Sequence, residues 1–175
     1  VGYACHLNAS ILATVNFRLA GPEIAYILRD SAPKVLVFEQ QYADTVAAIR
    51  GELPMIETYV CIGDAPPAWA IGYEALLDGA QPEREQIAPL PDHYALLIYT
   101  SGTTGRPKGV VKTQAATLAS LELNAFNLGL RPDSRILITM PMFHVGAMSE
   151  ATATLYAGGT VVLQRKFEPA EALKA

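Results

Sequence analysis

The sequence predicts an α/β fold in which layered, largely parallel sheets are flanked by helices. Three observations predict it. Short, β-rich apolar runs recur along the chain. Segments with helical periodicity stand between them, the alternation typical of parallel sheets. Apolar residues make up 51% of the 175 positions and charged residues 17%, which allows a buried core and argues against disorder.

Taken in order, Val1 to about Ser10 reads as the tail of a helix and Ile11 to Asn16 as a short strand. Gly21-Pro22-Glu23 opens a helix with Ile24, Ile27 and Leu28 on one face, and Pro33 prevents its continuation. Val35-Leu36-Val37-Phe38 is a continuous apolar run, as expected of a strand covered on both sides. A polar helix follows at about Tyr42 to Arg50, then a strand at Thr58 to Ile62. Asp64 to Asp92 carries Pro66, Pro67, Pro82, Pro89 and Pro91 and reads as a surface connection without chemistry, with a short helix at about Tyr73 to Leu77.

Tyr94 to Tyr99 is the next strand. A helix is expected from about Thr113 to Leu128, with Leu118, Leu121, Ala125 and Leu128 sharing a face and Gly129 with Pro132 ending it. Ile136 to Met140 is a strand, Pro141 to Gly146 a turn, and Ala147 to Tyr156 a helix. After Gly158-Gly159, Thr160 to Leu163 is a strand. Glu168-Pro169-Ala170-Glu171 has the look of a helix start. Because Val1 lies inside an apolar run and Ala175 inside this helix, both ends are expected to be cuts rather than native boundaries.

Composition excludes several classes of function. The net charge is -4, and the Lys and Arg residues are scattered, so no nucleic-acid surface is expected. No stretch is long and apolar enough to span a bilayer as a helix. Cys5 and Cys61 are too far apart in sequence to suggest a metal site or disulfide framework, and both read as buried free thiols of a reducing cytosol. A cytoplasmic location is expected.

The chemistry concentrates between Thr100 and Gly109. Gly102 and Gly105 free the backbone to point successive N–H groups at an anion. Ser101, Thr103 and Thr104 add hydroxyl donors, and Lys108, behind the stiffening Pro107, adds a mobile positive charge. A loop with this inventory after a buried strand is suited to phosphates. It is not a Walker A loop, which needs Gly, four residues and Gly-Lys-Ser/Thr. A flexible linker, the other common use of Gly, Ser and Thr, has no need of Pro-Lys-Gly behind it or a strand in front.

Tyr99-Thr100-Ser101-Gly102-Thr103-Thr104-Gly105-Arg106-Pro107-Lys108-Gly109-Val110 resembles the signature of the adenylate-forming (AMP-binding) superfamily, which includes acyl-CoA synthetases and 4-coumarate-CoA ligase. Val15-Asn16-Phe17-Arg18-Leu19 with Glu23-Ile24, and Pro141-Met142-Phe143-His144, resemble two further family segments. The resemblance covers nearly the whole chain outside the Pro-rich connection. It implies that residues 1–175 are a partial N-terminal domain of the acyl-CoA synthetase-like fold, truncated at both ends and without the C-terminal domain.

The resemblance also implies ATP-dependent activation of a carboxylic acid to an acyl-adenylate, with magnesium, then transfer to coenzyme A. Thr100, Ser101, Gly102, Thr103, Thr104, Gly105 and Lys108 would meet the ATP phosphates, and Thr103 the magnesium. By residue type alone His144 reads first as a packed core histidine; the motif context instead implies that it lines the acyl site. Gly146 would leave room for acyl substrate. Lys166 would meet coenzyme A, or is a surface lysine. The alternatives are an adenylation domain loading a carrier protein and a non-catalytic nucleotide-binding module. A homodimer is an added expectation for the full-length protein. The family's Tyr-Gly-x-Thr-Glu motif, ribose-binding Asp and C-terminal lysine do not occur, so no catalytic residue is assigned and the isolated chain is expected to be inactive.

Overall fold

The computed structural model describes residues 1–81, 87–100 and 106–174. The chain forms two compact units. The first comprises Val1–Thr14, Ile87–Thr100 and Val110–Ala175; the second comprises Val15–Gln86 and Ser101–Gly109.

In the second unit, β2 (Val35–Glu39), β3 (Thr58–Ile62) and β4 (Ile71–Gly72) form a parallel sheet in that order. Helix α2 (Gly21–Ser31) starts as its sequence suggests, with Pro22 in the first turn and the Glu23 carboxylate accepting from the Ala20 N–H at 2.9 Å. Its Ala25 and Leu28 pack with Ile49, Leu53 and Ile56, and Ile49 belongs to α3 (Ala43–Ile49). Ile27 is buried too. Phe38, Val46 and Cys61 form a second cluster. Trp69 stacks on Phe38 at 5.5 Å and meets Tyr59 edge-on at 5.6 Å, while the Arg50 guanidinium lies 5.0 Å from its ring centre. These contacts pin the Pro-rich connection, which also holds β4 and α4 (Tyr73–Asp78).

In the first unit, α1 is Gly2–Leu7. The strand β5 (Tyr94–Thr100) lies between β1 (Leu12–Thr14) and β6 (Lys108–Thr113), and pairs with β1 in parallel. Ala95, Leu96 and Ile98 are its buried residues, on both faces of the strand, and Leu12 and Met148 pack against them. A parallel pair, β7 (Arg135–Ile138) and β8 (Thr160–Leu163), packs through Ile138 against Ala147 and Ala151 of α6 (Val145–Tyr156). Helix α5 (Gln114–Asn127) lies against α6, where the Tyr156 hydroxyl donates to Glu122 at 3.1 Å, and a short α7 covers Pro169–Ala172.

Both long helices of this unit end the same way. After α5, Gly129 takes φ +60° and the Leu130 N–H reaches the Ala125 carbonyl at 2.9 Å. After α6, Gly158 takes φ +81° and the Gly159 N–H reaches the Thr154 carbonyl at 2.9 Å. Each glycine supplies the left-handed residue that lets orphan carbonyls find donors.

The α/β class and the parallel pairing agree with the sequence reading. Several local expectations do not. The chain from Lys108 to Thr113 is a strand, not part of a loop leading straight to a helix. Val110 and Val111 are 49% and 48% exposed, so this strand lacks a buried apolar face by which to announce itself. The stripe expected to bury α5 is not buried: Leu118 and Leu128 are exposed, and Phe126 is 83% exposed. Cys61 is fully buried, but Cys5 is only half-buried. Burial pushes both thiols up, so neither presents an activated thiolate.

Candidate phosphate-loop site

The predicted site residues fall on three short segments. Thr100 is the last residue of β5 and is exposed. Ser101, Gly102, Thr103, Thr104 and Gly105 lie outside the described residues. Lys108 is the first residue of β6, also exposed. A strand therefore stands on each side of the loop, where the usual phosphate-loop arrangement has a strand and then a helix.

That difference matters for how an anion could be held. The N-terminal amides of α5 are already engaged. The Gln114 N–H donates to the His93 carbonyl at 2.8 Å, the Ala115 N–H to the Pro91 carbonyl at 2.9 Å, and the Ala116 N–H to the Thr113 hydroxyl at 3.1 Å. With its first-turn donors spent, α5 offers no open N-terminus to a phosphate.

The loop's exit is attached to α2. The Tyr26 hydroxyl donates to the Pro107 carbonyl at 3.5 Å, and the Arg106 guanidinium sits 6.0 Å from the Tyr26 ring centre. None of these three residues stood among the predicted site residues. The available signal was the placement of Tyr26 among Ala25, Ile27 and Leu28, an aromatic with a polar tip on a helix that is otherwise anchored by small and aliphatic side chains.

His144 occupies the N-cap of α6. Its Nδ1 accepts the Gly146 N–H at 3.2 Å, and its carbonyl accepts the Met148 N–H at 3.1 Å. An Nδ1 that accepts has no proton, so the neutral ring carries its hydrogen on Nε2. The ring is exposed, not packed in a core. The turn before it is closed by the His144 N–H donating to the Pro141 carbonyl at 3.0 Å, and is tied to β1 by the Thr14 hydroxyl donating to the Phe143 carbonyl at 3.4 Å. Beside the Gly146 Cα, the space a Cβ would take is bordered by the Met140 methyl at 3.3 Å and His144 Nδ1 at 3.4 Å. The missing side chain thus lets the imidazole approach its own helix. Lys166 is well exposed and pairs with Glu168 at 2.9 Å.

Among the described residues, His144 stands at the start of α6 and Lys108 at the start of β6. No group of three or more His, Cys, Asp or Glu side chains able to hold a metal occurs among them. No helix among them is long and apolar enough to cross a membrane.

An α/β chain of parallel sheets with a glycine- and hydroxyl-rich loop after its strand β5 fits one class of protein closely. The family model of AMP-binding enzymes matches residues 2–175, and the chain belongs to that family. Among relatives, an indoleacetate–CoA ligase of Aromatoleum aromaticum is 42% identical, over 95% of this chain and 32% of its own length. A fatty acid–[acyl-carrier-protein] ligase, ScoC, of Streptomyces coeruleorubidus is 33% identical over 98% of this chain and 32% of its length. Among solved structures, the anthranilate CoA ligase AuaEII in complex with anthranoyl-AMP superposes with a TM-score of 0.84 at 28% identity, covering 94% of this chain and 32% of that one. The chain thus spans about a third of the length of the curated relatives it matches.

Proposed function

We propose that this chain is part of the N-terminal domain of an acid–thiol ligase that activates a carboxylic acid with ATP and passes the acyl group to coenzyme A. One observation carries the reading. The Thr100–Gly109 loop, rich in donors and ending in Lys108, sits in a chain matched by the AMP-binding family along almost its whole length.

In the proposed reaction a carboxylate oxygen attacks the α-phosphorus of ATP. The bond to the bridging oxygen breaks, and pyrophosphate leaves from the acyl-adenylate. The thiolate sulfur of coenzyme A then attacks the acyl carbon, and AMP departs. The first step builds negative charge on the leaving pyrophosphate. Thr100, Ser101, Gly102, Thr103, Thr104, Gly105 and Lys108 are assigned to hold it with donors placed in advance. Magnesium, when bound, neutralises phosphate charge. Thr103 would neighbour it through a hydroxyl oxygen, the donor type magnesium takes.

His144 is assigned to the acyl site, where its Nε2–H is a donor rather than a base. Gly146 is assigned there with it, and Lys166 to coenzyme A. A cytoplasmic enzyme, homodimeric at full length, completes the proposal.

A carrier-protein thiol as acceptor is the second reading, favoured by the similarity to ScoC. The full-length protein is expected to show carboxylate-dependent exchange of radiolabelled pyrophosphate into ATP, and to form an acyl thioester with coenzyme A. Thioester formed on a carrier protein alone would select the second reading. The 175-residue chain assayed by itself is expected to give no exchange, and robust exchange would contradict its assignment as one part of the site.

A further inference from the structure

Helix α2 is anchored by its buried face. Ala25, Ile27 and Leu28 are nearly inaccessible to solvent, and two of them pack into the Ile49–Leu53–Ile56 cluster. Tyr26 stands among these residues but is itself only half-buried. Two consecutive residues of the Thr100–Gly109 loop, just before Lys108, meet it. The Pro107 carbonyl accepts its hydroxyl, and the Arg106 cation faces its ring. Proline has no N–H, so that carbonyl is the only backbone hydrogen-bonding group Pro107 has. That carbonyl shares one planar peptide unit with the Lys108 N–H, so fixing the one orients the start of the other.

We infer that Tyr26 is a positioning residue for the phosphate loop: it holds Arg106 and Pro107 so that the Lys108 ammonium emerges where a nucleotide phosphate is to be met. This rests on the reading of the loop as a phosphate site. Tyr26 itself touches no reacting atom. Its contribution is to reduce the freedom of Lys108 before ATP arrives, which shows as tighter ATP use rather than as new chemistry.

The test compares Tyr26→Leu, Tyr26→Phe and Lys108→Ala in the full-length protein, by the KM for ATP and the KM for the carboxylate in pyrophosphate exchange, with thermal melting alongside. Tyr26→Leu, which loses both contacts, is expected to raise the KM for ATP about threefold to tenfold and leave that for the carboxylate unchanged. Tyr26→Phe keeps the ring under Arg106 and should recover part of the loss. Combined with Arg106→Gln, the Tyr26→Leu effect should be less than additive. A purely structural role would lower the melting temperature and the active fraction but leave the KM for ATP in place, which would overturn the inference. So would a wild-type KM for ATP in both Tyr26 variants when Lys108→Ala raises it. If Lys108→Ala also left it unchanged, the phosphate-site reading would fail together with the inference.

Discussion

At His144 one ring nitrogen is committed to the fold, and the proposed function assigns the other to a ligand. Nδ1 accepts the Gly146 N–H at 3.2 Å, which satisfies one of the orphan donors of α6. The two roles separate by mutation. His144→Ala is expected to lower stability by up to about 1 kcal/mol, the usual value of a lost N-cap. His144→Asn restores a capping oxygen, so thermal melts should return close to wild type. The KM for the carboxylate should stay raised in both variants, because neither replaces the Nε2–H. Recovery of the KM by asparagine would reduce His144 to a cap. The sequence made His144 visible through the Pro-Met-Phe-His motif. It left the capping role unseen, because histidine is not among the side chains usually expected at an N-cap.

Among the elements, the junction of α6 with β8 depends on close backbone approach. A Cβ on Gly159 would lie 2.8 Å from the Ser134 carbonyl oxygen and 3.0 Å from the Thr154 methyl. That same carbonyl receives the Thr160 N–H at 2.8 Å, just where β8 begins beside β7. Gly159→Ala should therefore force the strand pair apart, at a cost of about 1–3 kcal/mol in chemical denaturation. Gly51→Ala, with nothing within 4 Å of the added carbon, should stay within about 0.5 kcal/mol of wild type. Equal effects would show that crowding at Gly159 is relieved elsewhere. This scale also divides what the sequence revealed from what it hid. Strands β2, β3, β5 and β8 were legible as apolar runs, and the ends of α5 and α6 from Gly129 and Gly158. Strand β6 was not, because Lys108, Gly109 and two exposed valines give no alternation to read. Periodicity found the apolar stripe of α5, but says nothing of what covers a stripe.

For the whole molecule, fold and family point the same way. The parallel pairings and the family match over residues 2–175 agree with the class read from alternating strands and helices. The inventory of donors between Thr100 and Gly109 that makes the candidate site was legible, with Ser101 to Gly105 outside the described residues. Its support was not, since Tyr26 reaches Pro107 across 81 positions of sequence, a separation at which no local pattern operates. Under the proposed reading, the engaged amides of α5 leave the burden of phosphate recognition to the loop and its single lysine. That burden is what one measurement tests most directly: the KM for ATP of the full-length protein carrying Lys108→Ala, in carboxylate-dependent pyrophosphate exchange. The account predicts a rise of at least about tenfold, ~1.4 kcal/mol of lost interaction. A KM for ATP and a turnover unchanged from wild type would contradict it.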